Sequence, residues 1–297
     1  MRYSETFSIK HGERLILKGV DPAGKMHHES EPVAKDEIEH YRGQLAKLQS
    51  LLYAEKKRSI LVVLQAMDAG GKDGVVNHVI SVLNPQGARV NGFQRPTIEE
   101  AAHDFLWRVH PHTPARGEIA IFNRSHYEDV LLPRVHKIID KPVWEARYLR
   151  IRDFEEGLAD NGTRILKFFL HISKEEQLTR FAQRLDDPHH NWKITESDYI
   201  ERGYWDAYMT AYEDAISATS SKHAPWFVIP SNHKWFRNLV VSQIIVDAME
   251  ELNMSYPKPT VDLSDIRRRY HTEAEHQKTD EKRNSQKETT SSGKPAV

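Results

Sequence analysis

"LVVLQAMDAGGKDG", residues 61–74, decides how the rest of the chain is read. An apolar, β-branched run passes into a glycine-bearing turn that ends in a lysine. In loops of the form G-x-x-x-x-G-K-[ST], a buried strand feeds a turn whose backbone N–H groups cradle phosphates. Lysine adds a point charge there and the hydroxyl residue ligates Mg²⁺. Gly71 and Lys72 meet that pattern, but Ala66 stands where the first glycine belongs and Asp73 replaces the hydroxyl residue. The bland alternative is a glycine-rich strand-to-helix turn with an exposed lysine. Asp68 favours the phosphate reading, because an acid beside a phosphate cradle is costly unless a divalent cation lies between them.

Working outward, "ILVVL" (60–64) has the unbroken apolar character of a central parallel strand covered on both faces. Before it, Ile38, Tyr41, Leu45, Leu48 and Leu52 are spaced by alternating threes and fours, which predicts a helix with one apolar face. After it, strands are expected at 88–93, 118–122, 164–172 and 225–229, each followed by a helix. The alternation predicts an α/β fold: a doubly wound, parallel, five-stranded sheet flanked by helices, with ligands beyond the carboxyl ends of its strands. Residues 1–35 read as an irregular N-terminal arm and 36–257 as one domain. A polar, Pro/Gly-bounded insertion at about 186–203 stands where nucleotide kinases carry a lid. From 258 to 297 the chain is rich in Lys, Glu, Ser, Thr and Gln, and a charged, disordered tail is expected.

Composition narrows the function. The absence of cysteine excludes disulfides, thiolate catalysis and cysteine-built zinc sites. A net charge of −1 gives no general attraction for nucleic acid, so anion binding must be local. No apolar run approaches the roughly 20 residues of a membrane span, and the first residues lack the apolar core of a secretory signal. A cytoplasmic protein without membrane or nucleic-acid partners is expected. Seventeen histidines form no H-E-x-x-H type pair, so His126 reads as structural rather than as a metal ligand or base.

A second segment, "IAIFNRSHYEDVLLPRVH" (119–136), has the form of a Walker B strand with Asn123 where an acid usually ends the run. A neutral amide ligates Mg²⁺ more weakly than a carboxylate, so Asp68 and Asp129 are the candidate metal ligands. Arg124, at the strand end, can grip two phosphate oxygens with its planar fork. The competing reading for Arg124 and Asp129 is a surface ion pair with neighbours such as Arg134.

"LQAMDAGGKDG", "FLWRVH", "GEIAIFNRSHYEDVL", "ILKFFLHISKEEQ", "RLDDP" and "APWFVIP" together resemble the polyphosphate kinase 2 family, over about Asp36 to Asn253. "NRSHYED" resembles the subgroup, class III, that acts on nucleoside monophosphates as well as diphosphates. The resemblance implies a P-loop kinase-like core with a helical lid, Mg²⁺ or Mn²⁺ as cofactor, and transfer of phosphate between inorganic polyphosphate and AMP, ADP or ATP, with guanine nucleotides as further substrates. It implies catalytic roles for Asp68, Lys72, Arg124 and Arg184. Phosphate binding is expected at Ala69, Gly70, Gly71, Lys72, Asp73, Gly74, Arg184 and Lys193. Nucleotide binding is expected at Asn123, Arg124, Asp129 and Arg134, the metal at Asp68 and Asp129, and assembly as a homodimer or homotetramer. His190 occupies a lid position where many members carry Lys. Two other functions compete: an ATP-dependent nucleoside monophosphate kinase, argued against by the missing hydroxyl after Lys72, and a non-catalytic nucleotide or polyphosphate sensor, argued against by the two acids.

Overall fold

The computed structural model describes residues 2–291. The chain divides into two compact units, Met1–Ser255 and Tyr256–Val297. In order, the first unit carries α1 (Tyr3–Phe7), β1 (Ser8–Ile9), α2 (Glu31–Glu55), β2 (Ser59–Gln65), α3 (Lys72–His78), β3 (Ala88–Gly92) and α4 (Ile98–Ala102). It continues with β4 (Ile119–Asn123), α5 (Glu128–Val135), α6 (Lys141–Asp160), β5 (Thr163–His171) and α7 (Lys174–Asp186). It closes with α8 (Glu196–Gly203), α9 (Trp205–Thr219), β6 (Trp226–Pro230) and α10 (Lys234–Glu250).

All residues of β2 are buried, as a strand covered on both faces must be. The sheet order is β1-β6-β5-β2-β4-β3, and β2 pairs in parallel with both β4 and β5. Successive strand residues point to opposite faces, and the packing follows that alternation. Leu61 and Val63 join a core with Phe122, Val130, Ile151 and Ile216, on the side of α5, α6 and α9. Ile60, Val62 and Leu64 join another with Leu45, Val75 and Val240, on the side of α2, α3 and α10. Leu64 lies opposite Asn123, so the turns after β2 and β4 leave the same edge side by side. That edge is where a doubly wound sheet opens its ligand crevice.

Three expectations are corrected. The sheet has six strands, not five: β1, two residues long, pairs antiparallel with β6 through Ser8↔Phe227 and Ile9↔Trp226. So short a strand leaves no periodic signal. The arm 1–35 is accordingly not wholly irregular, and Tyr3 of α1 is buried in the core beside Phe236. The tail carries a helix, α11 (Leu263–Ser291), in the second unit; residue 1 of the arm and residues 292–297 of the tail lie outside the described residues. Among the described residues no helix is long and apolar enough to cross a membrane.

Candidate active site

The turn after β2 is shaped by its backbone. Ala69 (φ 58°) and Gly71 (φ 104°) both adopt left-handed conformations, after which α3 begins at Lys72. A methyl group at Gly71 or Gly74 would overlap the guanidinium of Arg237, and at Gly71 the left-handed backbone disfavours a side chain as well. The loop's carbonyls are tied from behind: Gln177 Nε2 donates to Asp68 O (2.9 Å) and Arg180 Nη1 to Ala69 O (2.9 Å). Both donors come from α7, whose start is capped by Ser173 Oγ accepting from Glu176 N (3.1 Å).

Lys72 folds over the loop and donates to Ala66 O at 2.8 Å. Burial and then the Arg124 charge lower its pKa from the ordinary 10.5, against opposing pulls from Asp68, Glu128 and Asp73. Arg124, first after β4, is also left-handed (φ 63°) and reaches across to Asp68, Nη2 to Oδ1 3.2 Å. Glu128 completes the group. Burial raises its carboxyl, while Arg124 and Lys72 pull it back and Asp68 adds repulsion. Two cations and two carboxylates thus face one another at the crevice.

Asp129, expected beside Asp68 around a metal ion, is given to another partner. Its Oδ2 accepts from Arg108 Nη2 at 3.0 Å, and its backbone carbonyl accepts from Arg147. Asp129 follows Glu128 on α5, and neighbouring helix positions point about 100° apart, so the two acids meet different charged partners although both border one cleft. Glu128 is the acid beside Asp68. Among the described residues no group of three or more His, Asp or Glu gathers to hold a metal on protein ligands alone.

Beyond this group a cleft of about 460 Å³ is bordered by Phe93, Arg95, Arg108, Arg124, Glu128 and Asp129. Asn123 donates to Asp73 Oδ1 (2.9 Å), and Lys193 Nζ stands 3.9 Å from Asp73 Oδ2, so the insertion reaches the loop through that acid. Arg184 braces the insertion by donating to Lys193 O (2.9 Å). Arg134 is placed elsewhere. It packs 4.0 Å over the Trp144 ring, bonds Tyr148 and Asp214, and lines a different cleft from Arg124. His190 pairs with Asp187 (2.6 Å) at the surface of the insertion.

Behind Arg124 the chain is clamped. Ser125, His126 and Tyr127 are all buried. Ser125 Oγ accepts from Gln65 Nε2. His126 Nε2 lies 3.3 Å from Glu155 Oε1, and Tyr127 OH donates to the same carboxylate (2.9 Å). Lys167 Nζ closes the network on Glu155 Oε2 (2.6 Å) and Tyr127 OH (2.9 Å). His126 is structural, as its sequence context suggested.

Sequence reading missed Glu128, Arg108, Gln177, Arg180 and Arg237. Glu128 alone carried a usable signal, four residues past Arg124 at the start of a helix. The others act from elements whose approach to the loop is set by packing.

The family model described as Polyphosphate kinase 2 matches residues 28–257. The chain is 50% identical over 254 residues to the AMP/ADP-polyphosphate phosphotransferase of Meiothermus ruber, covering 85% of this chain and 95% of that one. It is 44% identical over 273 residues to the ADP-polyphosphate phosphotransferase of Rhodopseudomonas palustris, covering 86% and 93%. The crystal structure of Polyphosphate Kinase 2 from Arthrobacter aurescens superimposes with a TM-score of 0.88 at 40% identity, covering 92% of this chain and 97% of that one. With its phosphate-type loop, paired strand-end arginine and matching fold over this length, the chain belongs to the polyphosphate kinase 2 family.

Proposed function

We propose that this protein is an enzyme that transfers phosphate between inorganic polyphosphate and adenine nucleotides, with AMP and ADP as acceptors. The observation that carries the reading is the convergence of Lys72 and Arg124 on one side and Asp68 and Glu128 on the other, between the loop and the cleft. The printed names of the Meiothermus and Rhodopseudomonas relatives support the substrates.

Both substrates are polyanions, so their mutual repulsion must first be neutralised. Transfer then needs alignment and charge stabilisation more than covalent help. The loop N–H groups and Lys72 take one end of the polyphosphate chain, Lys72 exchanging the Ala66 carbonyl for phosphate oxygen. Arg124 spans the transferring group, which its forked guanidinium can hold by two oxygens. The nucleotide enters from the cleft, where the Asp129 pair keeps Arg108 fixed in the wall. An acceptor phosphate oxygen is already ionised at neutral pH, so no strong base is required. Asp68 orients Arg124, and Glu128 keeps the cation pair balanced before substrate arrives. Arg184 and Lys193 bring the insertion over the phosphate chain as a lid.

Asp68 and Glu128 are hard oxygen donors in one crevice, a donor set that fits Mg²⁺, or Mn²⁺, when phosphates complete its shell. The ion would supply neutralisation of the charge developing on the transferring phosphoryl.

The test is purified protein with Mg²⁺ and polyphosphate, first with AMP and then with ADP, read as ADP and ATP formed. Turnover with ATP as the sole effective donor would instead indicate a nucleoside monophosphate kinase. Substrate binding without turnover would indicate a sensor. The same assay with GMP and GDP tests guanine acceptance, and light scattering tests the expected dimer or tetramer.

A further inference from the structure

Arg237 lies beneath the phosphate loop and belongs to none of the groups that face the crevice. It is 2% exposed, near the start of α10, and its guanidinium fills the space under Gly71 and Gly74 that a Cβ at either would occupy. Its hydrogen bonds run to Asn238 Oδ1, from Nε (3.1 Å) and Nη2 (2.8 Å). Among the described residues no carboxylate pairs with it. Its neighbour Arg180 differs: that guanidinium is balanced by Glu176 (2.7 Å) and by the carbonyls of Ala69, Ser231 and Asn232. Arg237 is therefore a buried cation with a neutral amide as its partner, and burial together with the Arg180 charge pushes its pKa down to about 9.

A buried charge without a counter-ion costs several kcal/mol in a folded protein. A fold that needed only bulk under the loop could supply it with an apolar side chain of similar volume. The low dielectric of the buried space beside Gly71 and Gly74 strengthens any attraction between the Arg237 charge and an anion held by the loop. We propose that Arg237 is a positioning residue for the polyphosphate chain: through the thin backbone of Gly71 and Gly74 it supports the loop from behind and supplies the positive field that an anion in the cradle compensates. The inference rests on the reading that the loop holds polyphosphate rather than nucleotide.

The test uses the whole chain and two probes, tripolyphosphate and ADP, titrated by calorimetry into the parent, Arg237→Met, Arg237→Lys and Lys72→Ala proteins. Arg237→Met should weaken tripolyphosphate by about tenfold or more, about 1.4 kcal/mol, and leave ADP affinity unchanged. Arg237→Lys, which restores the charge, should recover most of the loss. Because Met removes an uncompensated charge, the ligand-free Arg237→Met protein should melt no lower than the parent, while gaining less from tripolyphosphate. Equal loss of both ligands, or parental tripolyphosphate affinity in Arg237→Met alongside a weakened Lys72→Ala, would overturn the inference and leave the loop assignment standing. Parental tripolyphosphate affinity in Lys72→Ala would overturn the loop assignment and the inference with it. Should Arg237→Met not fold, Arg237→Gln takes its place, judged on the same selectivity.

Discussion

Lys167→Met should unfold the protein several degrees earlier, and the size of the effect should depend on pH. Lys167 and Glu155 are both inaccessible to solvent and meet at 2.6 Å. Burial alone would raise the Glu155 carboxyl, but the Lys167 ammonium and His126 outweigh it and hold it below the usual range. Removing one partner of a buried pair costs about 3–5 kcal/mol, because the other is left charged without its counter-ion. In a unit of this size each kcal/mol moves the melting point by about 2–4 °C, so a fall of roughly 6–20 °C is expected near neutral pH. Without the ammonium, burial is opposed chiefly by His126, and the Glu155 pKa should rise above its unfolded value. A raised carboxyl costs nothing below the unfolded pKa and progressively more as pH climbs toward the folded one. The parental group behaves oppositely: it contributes stability above its unfolded pKa and loses it as pH falls. The gap between parent and variant should therefore widen from pH 5 to pH 8. The double variant Lys167→Met/Glu155→Gln replaces both charges with neutral near-isosteres and should be more stable than the sum of the single changes implies, by at least about 2 kcal/mol. Differential scanning fluorimetry across pH, with urea unfolding for the cycle, reads both quantities. Additive single effects and a gap flat in pH would refute the buried-pair reasoning. The same network holds the turn that presents Arg124, so kcat should fall with stability in Lys167→Met and recover in the double variant.

Arg124→Ala removes the charge that spans the transferring group and should lower kcat by about two orders of magnitude with a melting point near the parent's; a parental kcat would make Arg124 peripheral. Gly71→Ala places a side chain at φ 104° against Arg237; it should lose most turnover and about 1–2 kcal/mol or more of stability, and an unchanged melting curve would show the loop to be slack. Removing divalent cations with a chelator should abolish turnover and added Mg²⁺ should restore it, whereas activity persisting in chelator would sink the metal role given to Asp68 and Glu128. Lys72, with a pKa below 10.5, binds phosphate best when protonated, so KM for polyphosphate should rise as pH climbs through that lowered value. Lys72→Arg, charged throughout, should flatten the rise, and parallel pH profiles would show that Lys72 does not meet the chain.

How much the sequence could determine follows from the range of the forces involved. The unbroken apolar run 60–64, its glycine-bearing turn and the repeated strand–helix alternation are local patterns. They pointed to a parallel sheet with a candidate phosphate loop at its edge, and marked Asp68, Lys72 and Arg124 as the side chains to look for there. That the ligand is an anion was legible for the same reason, since an anion cradle is built from consecutive backbone, whereas polyphosphate and nucleotide as substrates came from the resemblance of several motifs to the family. Which acid stands beside Asp68 was not legible. Glu128 and Asp129 are adjacent in sequence, and only the start of α5, set by the clamped turn Ser125–Tyr127, turns one toward the crevice and the other toward Arg108. Arg134 was expected to bind nucleotide, but the packing of α5 against α6 and α9 carries it onto Trp144 and Asp214. Arg180 and Arg237 lie more than a hundred residues from the loop they support. Their positions depend on how α7 and α10 dock on the sheet, a result of summed side-chain packing that no short stretch of sequence records. The two-residue β1 is decided likewise by the open edge of β6, because a strand that short takes its conformation from the partner it pairs with.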